Sequence, residues 1–312
     1  MRYRRLGESG LVVSVVGLGC NNFGRRVGLE DTKAVVSAAI DAGVTLLDTA
    51  DIYGESEDFL GEVLGTRRQE IVLATKFGMS MSGKLGPDWD ARGSRRYIRT
   101  AVESSLRRLR TDWIDLYQFH RPDPATPIEE TLGALNELVV EGKVRYIGCS
   151  NFAGWQVADA AWTARSAGLA PFISAQNHYS MIDPGVETEL VPACGRFGLG
   201  VLPYFPLANG LLTGKYRRGE DAPAGTRLAS REGWLTDERF DQVDSLQAFA
   251  DDRGISLLDV AIGGLAAQPS VGSVIAGATR PEQIVANVAA GSWEPTSEDL
   301  EALNLLRPRL AG

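Results

Sequence analysis

Short apolar runs alternate with helical stripes along most of this 312-residue chain. Eight runs read as strands: residues 15–18, 45–48, 71–76, 114–120, 144–150, 173–177, 200–203 and 273–276. Helices are predicted between them over 29–42, 94–110, 127–141, 153–167, 187–197, 256–268 and 280–289. Residues 94–110 show the logic. Ser94 is a natural N-cap, and Ile98, Val102, Leu106 and Leu109 recur on one helical face. Segment 127–141 starts with Pro127 in its first turn and stops before Gly142. Eight strands separated by helices predict a parallel sheet closed as a (β/α)8 TIM barrel. The competing architecture is an open doubly wound sheet; no GxGxxG follows the first strand, and the chain length suits a barrel better.

Some segments fall outside the repeat. Residues 2–6 and 11–13, separated by Gly-Glu-Ser-Gly, predict an N-terminal β-hairpin lying outside the barrel. Residues 78–93 and 208–235 are long, polar and Gly-rich, and are expected to be substrate loops. Two extra helices are predicted over 237–253 and 297–307. No linker or low-complexity tract interrupts the pattern, so residues 1–312 are expected to form a single domain.

Composition narrows the function classes. With 32 Lys+Arg against 40 Asp+Glu, the net charge is −8, which argues against nonspecific nucleic-acid binding. No run of 18 apolar residues is present, so no membrane span is expected. Cys20, Cys149 and Cys194 are far apart and odd in number, as in a reducing compartment. The N-terminus MRYRRLGESG has no apolar signal-peptide core, and a cytoplasmic location is expected. His120 and His178 are the only histidines and no CxxC occurs, so no metal site is expected.

Barrel chemistry sits where strands end. Here those ends are polar. The predicted strands finish at Asp48, Lys76, His120, Ser150–Asn151 and Gln176–Asn177. Tyr53 follows Asp48 by five residues. A phenol near pKa 10 exchanges a proton at neutral pH only if its anion is stabilised. Lys76 is the candidate stabiliser, Asp48 would keep Lys76 charged and oriented, and His120 would bond a substrate oxygen. These groups suit carbonyl reduction. No side chain supplies a hydride, so a nicotinamide cofactor is required.

Over nearly its whole length the sequence resembles the aldo-keto reductase superfamily. The matching segments are DTADIYG, ATKFG, LYQFHRPD, GCSNF, AQNHYS, YFPLANGLLTGKY and AGATRPEQIVAN, in that order. The resemblance implies a catalytic tetrad of Asp48, Tyr53, Lys76 and His120, with Tyr53 as general acid in reduction. It implies an NADP(H) site whose nicotinamide is held by Ser150, Asn151 and Gln176 and stacked by Tyr204. Gly19, Cys20 and Asn21 would pass close to the cofactor, and Leu207, Gly210 and Lys215 would cover its pyrophosphate. Gly277, Thr279, Arg280, Gln283 and Asn287 would hold the adenosine end. A helix opening at Arg280 favours a phosphate, and its guanidinium suits a 2′-phosphate, hence NADP(H) over NAD(H). Two departures stand out: Ala286 where the family often has Glu, and Phe205 where many members have Ser.

Phe23, Trp89 and Trp234 are candidates for an apolar substrate-pocket wall, the two tryptophans because they fall in the long loops. His178 is read as a surface loop residue. The implied activity is NADPH-dependent reduction of a small-molecule aldehyde or ketone. The same superfamily includes channel-associated β subunits, so an NADP(H)-binding regulatory subunit is the alternative. A lyase or isomerase on the same barrel is disfavoured by the ordered cofactor segments. Nothing in one chain indicates the substrate or the oligomeric state.

Overall fold

In the computed structural model, residues 1–230 and 233–308 are described. The chain opens with β1 (Tyr3–Arg5) and β2 (Val12–Ser14), an antiparallel hairpin in which Tyr3 faces Ser14. Gly7 turns this hairpin with φ +59°, where any Cβ would meet the Gly198 carbonyl. The repeat then runs β3 (Val16–Gly19), α1 (Leu29–Asp41), β4 (Leu46–Asp48), α2 (Ser56–Leu64) and β5 (Val72–Phe77). It continues through α3 (Arg95–Leu109), β6 (Ile114–Phe119), α4 (Ile128–Val140), β7 (Val144–Ser150), α5 (Gly154–Ala167) and β8 (Phe172–His178). After these come α6 (Leu190–Phe197), β9 (Gly200–Tyr204), α7 (Asp237–Arg253), α8 (Leu257–Asp259), β10 (Val274–Gly277), α9 (Pro281–Ala290) and α10 (Ser297–Leu306). Strands β3 to β10 are all parallel and close into one barrel, with β10 pairing β3. The expected (β/α)8 barrel, hairpin and two extra helices are therefore observed.

Two apolar cores follow from the period-two alternation of the strands. Outward residues such as Leu47, Leu73 and Tyr117 pack against stripes from the helices, for example Val35, Val36 and Ala39 of α1. Inward residues Leu46, Ala74, Leu116, Leu202 and Ile275 form a second cluster with Leu6 and Val13 of the hairpin segment. The hairpin thus plugs the lower end of the barrel. Two residues further along the same inward faces stand Asp48, Lys76, Gln118, Tyr204 and Gly277. The barrel interior changes from apolar to polar within one pleat.

The helices differ from expectation in three places. Helix α2 was not expected. Its buried face is Ser56, Glu57, Leu60, Gly61 and Leu64, and the two polar residues disguise the apolar stripe. Gly61 lets α2 meet the Arg108 carbonyl at the end of α3. Helix α6 starts at Leu190, later than expected, with a 3-10 turn at Gly185–Glu187 before it. The helix expected over 256–268 runs from α8 into a π-turn at Val260–Gly264. Gly263 is pressed there against the Ala290 and Trp293 carbonyls, so a bare backbone position sets the irregularity. The expected loop 208–235 contains 3-10 turns at Ala208–Thr213 and Leu228–Ser230, and its residues 231–232 lie outside the described residues. No described helix is long and apolar enough to cross a membrane.

Candidate active site

Asp48 is the last residue of β4 and is buried inside the barrel. Its Oδ2 accepts from Lys76 Nζ at 2.6 Å. Its Oδ1 accepts from Gln118 Nε2 at 2.9 Å and Gln176 Nε2 at 2.8 Å. Charge-assisted hydrogen bonds to both oxygens hold this carboxylate in one place. Lys76 is fully buried on β5 and also donates to the Thr49 carbonyl at 2.8 Å. Burial by itself would lower the Lys76 pKa, but Asp48 and Tyr53 hold it above the usual lysine value. An ammonium has three donors; Asp48 and Thr49 use two, which leaves one beside the Tyr53 ring.

Tyr53 lies in the loop after β4, half-buried, with Lys76 Nζ 5.0 Å from its ring centre. His120 meets the same ring edge-on at 5.9 Å. Burial raises the Tyr53 pKa above 10 and outweighs the opposing pull of Lys76. Lys76 favours the phenolate, as the sequence reading expected, but burial outweighs it and the net shift is upward. His120 sits one residue beyond β6, its backbone N–H donating to the Phe77 carbonyl at 2.8 Å. Burial, helped by Lys76 and Arg121, lowers its pKa to about 2, so the imidazole is neutral. Its Nδ1 is buried without a protein partner.

Beside this cluster runs a second network. Asn151 has a left-handed backbone, φ +59°, which turns its amide toward the strand ends. Its Nδ2 donates to the His120 carbonyl at 2.9 Å and to Ser150 Oγ at 3.1 Å. Its Oδ1 accepts from the Tyr204 hydroxyl at 2.8 Å. Ser150 Oγ donates to the Gln176 carbonyl at 2.8 Å. The Tyr204 ring lies nearly parallel to His178, centres 5.7 Å apart. His178 is the last residue of β8, half-buried against Tyr204, and not a loop-surface residue as expected.

These groups line one end of a cavity of about 810 Å³. Every residue expected at the cofactor is on its wall: Gly19, Cys20, Asn21, Ser150, Asn151, Gln176, Tyr204, Leu207, Gly210, Lys215, Gly277, Thr279, Arg280, Gln283 and Asn287. Asp48, Tyr53 and His120 share the wall, while Lys76 is buried behind it. Both Asn209 side-chain polar atoms and Asn287 Nδ2 are buried on this wall without a protein partner. Phe205, Ala208 and Asn209 all carry positive φ in the loop above it. Orphaned polar atoms and a strained loop mark a wall shaped for a polar ligand. At the far end Thr279 N–H and Oγ1 bond Gln283 Oε1, at 2.7 and 3.0 Å, and Pro281 occupies the first turn of α9. Fewer free amides face the cavity there than an open helix start would present, which leaves the Arg280 side chain as the cationic group.

Three expected residues are not on this wall. Phe23 is fully buried in the outer core. Trp89 is exposed, with Arg96 over its ring at 4.9 Å. Trp234 packs against the outer core under Arg239, 4.6 Å from its ring. Phe23 and Trp234 pack into the outer core, while Trp89 stays exposed. The wall instead includes Met79, Arg121 and Arg227, which sequence reasoning did not single out, beside Phe205, which it noted as a departure from the family. Gln118 was also missed, though a readable signal existed: it lies two residues before His120 on a strand of period two. Among the described residues no group of His, Cys, Asp and Glu is placed to hold a metal ion.

A buried carboxylate–ammonium pair stands beneath a phenol at the polar end of a (β/α)8 barrel. The aldo/keto reductase family matches residues 15–307. The chain belongs to the aldo/keto reductase family and is an oxidoreductase. A probable voltage-gated potassium channel subunit beta of Oryza sativa subsp. japonica is 36% identical, covering 99% of this chain and 94% of that protein. The uncharacterized oxidoreductase YrpG of Bacillus subtilis is 35% identical over 100% of this chain and 98% of its own. Versiconal hemiacetal acetate reductase of Aspergillus parasiticus is 34% identical, covering 97% and 96%.

Proposed function

We propose that the protein reduces an aldehyde or ketone to the alcohol, using NADPH, with Tyr53 as the proton donor. The observation that carries this reading is the Lys76–Asp48 pair beneath Tyr53 at one end of the cavity. The bound nicotinamide would supply the hydride. Everything else falls to the chain. Tyr53 O–H hydrogen-bonds the carbonyl oxygen and transfers its proton as negative charge develops there. Lys76 favours the phenolate that remains, and Asp48 holds Lys76 in place. Neutral His120 contributes a second hydrogen bond to the same oxygen. Ser150, Asn151 and Gln176 would hold the nicotinamide end, and Arg280, Gln283 and Asn287 the adenosine end, with Arg280 favouring the 2′-phosphate. The reading places the whole chain in one catalytic domain acting in the cytoplasm.

A second reading is favoured by the plant relatives named as channel β subunits: an NADP(H)-binding regulatory subunit. One experiment separates the two. NADPH and NADH absorbance is followed against a panel of aldehydes and ketones, with wild type and Tyr53→Phe. Turnover favouring NADPH is expected. It should fall by about 10²- to 10⁴-fold in the variant, the range of general acid catalysis. NADPH binding without turnover on the whole panel would instead support the regulatory reading.

A further inference from the structure

The cavity is cationic in an acidic protein. Its wall carries Arg26, Arg121, Lys215, Arg227 and Arg280 against a single carboxylate, Asp48, which Lys76 already holds. The whole chain has a net charge of −8. Three of these cations are tied to the loops around the cavity. Arg26 donates to the Gly225 carbonyl, Arg227 donates to Asn22 Oδ1 at 3.0 Å, and Lys215 lies 5.2 Å from the Tyr216 ring centre. Arg280 stands at the start of α9, at the end read as the adenosine site.

Arg121 differs from all four in its place. It follows His120 directly, so it belongs to the end of the cavity where the proton is transferred. It is exposed and forms no ion pair or hydrogen bond among the described residues. The neighbouring acid, Asp123, is engaged elsewhere: it accepts from the backbone N–H groups of Gly93 and Ala125 and from Thr126 Oγ1. The Arg121 charge is felt by both His120 and Tyr204. Met79 and Phe205 share this part of the wall and offer apolar surface beside the charge.

We propose that Arg121 is a specificity residue that selects carbonyl substrates bearing a carboxylate remote from the reacting carbonyl. This rests on the reductase reading above. A lone guanidinium has the planar fork that matches a carboxylate bidentately. A phosphate would call for further free cations or a nest of backbone amides, and the other cations near Tyr53 are engaged: Lys76 donates to Asp48 and the Thr49 carbonyl, and Arg25, 6.0 Å from the Tyr53 ring centre, donates to the Ile52 carbonyl. The carbonyl takes its place at Tyr53 and His120, the body of the substrate covers the apolar wall, and the carboxylate reaches Arg121.

The test pairs two aldehydes that differ only in charge: 4-carboxybenzaldehyde and methyl 4-formylbenzoate. Wild type should prefer the acid in kcat/KM by about ten- to a hundredfold, the size of one charge-assisted hydrogen bond. Arg121→Ala should bring that ratio close to unity, through KM more than kcat, and Arg121→Lys should restore part of it. A second readout needs no turnover: calorimetric binding of 4-(hydroxymethyl)benzoate and of its methyl ester to the NADPH-loaded protein. Selective binding of the acid, lost in Arg121→Ala, supports the inference even if neither aldehyde is reduced, in which case only the reductase reading fails. An acid-to-ester ratio that is the same in wild type and Arg121→Ala overturns it. Weakened NADPH binding with that ratio unchanged also overturns it, by assigning Arg121 to the cofactor.

Discussion

Asp48 ends β4 and Asp51 follows it by three residues; both are buried, yet their surroundings are opposite. Asp48 points into the barrel and receives Lys76, Gln118 and Gln176. Neither oxygen of Asp51 has a partner. It lies toward the outer side of the wall, where its charge would act on Tyr97 and Tyr117. Two cations reach that site with their charge, and both are engaged elsewhere: Lys76 with Asp48, and Arg108 with Glu57, which also accepts from Thr75 Oγ1 at 2.6 Å. Burial and the Glu57 carboxylate hold the Asp51 carboxyl well above the usual carboxylate range. The barrel interior keeps a charge by surrounding it with donors, while further outward the same residue type is pushed toward its neutral form.

The largest effect that tests this contrast is Asp48→Asn. It strands the Lys76 ammonium in a buried site without its counter-charge. We expect a loss of about 3–5 kcal/mol in stability, as for other broken buried pairs. Carbonyl reduction should be abolished with it. Denaturant unfolding and NADPH oxidation measure the two losses; a mild change in both would mean that the Gln118 and Gln176 amides suffice to hold the site.

A smaller effect concerns His120. Its pKa falls from 6.5 to about 2 on folding, so the unfolded chain binds a proton that the folded chain refuses. Its contribution is complete above pH 6.5 and is lost as pH falls toward 2, by at most about 1.4 kcal/mol per pH unit. His120→Gln should therefore lose less stability than wild type between pH 6.5 and 4. The His120 ring resonances should show no titration in that window, and an inflection near 6.5 would contradict a neutral imidazole held by burial.

The smallest effect is expected at Asp51→Asn. The amide keeps the shape and removes a carboxyl that folding holds above its unfolded pKa. A raised carboxyl pKa costs nothing below the unfolded value of about 3.8 and costs progressively more as pH rises through the folded one. The variant should thus match wild type at pH 4 and equal or exceed it at pH 7, by up to about 1 kcal/mol. Denaturation midpoints at the two pH values decide this, and a loss comparable to Asp48→Asn would erase the distinction between the two carboxyls.

Much of this site was legible in the linear pattern. The strand ends at Asp48, Lys76, Ser150 and Gln176 stood out because polar residues closed apolar runs. The aromatic candidates lie away from the cavity wall: Phe23 and Trp234 pack into the outer core, and Trp89 is exposed under Arg96. Helix α2 was masked by Ser56 and Glu57, polar residues that are buried because Ser56 bonds Thr49 and the Cys20 carbonyl and Glu57 bonds Thr75 and Arg108. Arg121 gave no signal, because an arginine after a strand reads as ordinary surface until the cavity around it is known.

The sequence by itself determined the alternation that sends Leu46 and Asp48 to one face, and the stripes that pack helices around the barrel. These depend on neighbours a few residues apart, whose geometry each strand and helix repeats. Only the closed barrel decided that Gln118 and Gln176, 70 and 128 residues from Asp48, would share its carboxylate. It also decided that Asp51 would have no partner. Charge state in a protein interior follows from which donors surround a group after desolvation, and those donors come from strands that meet only in three dimensions.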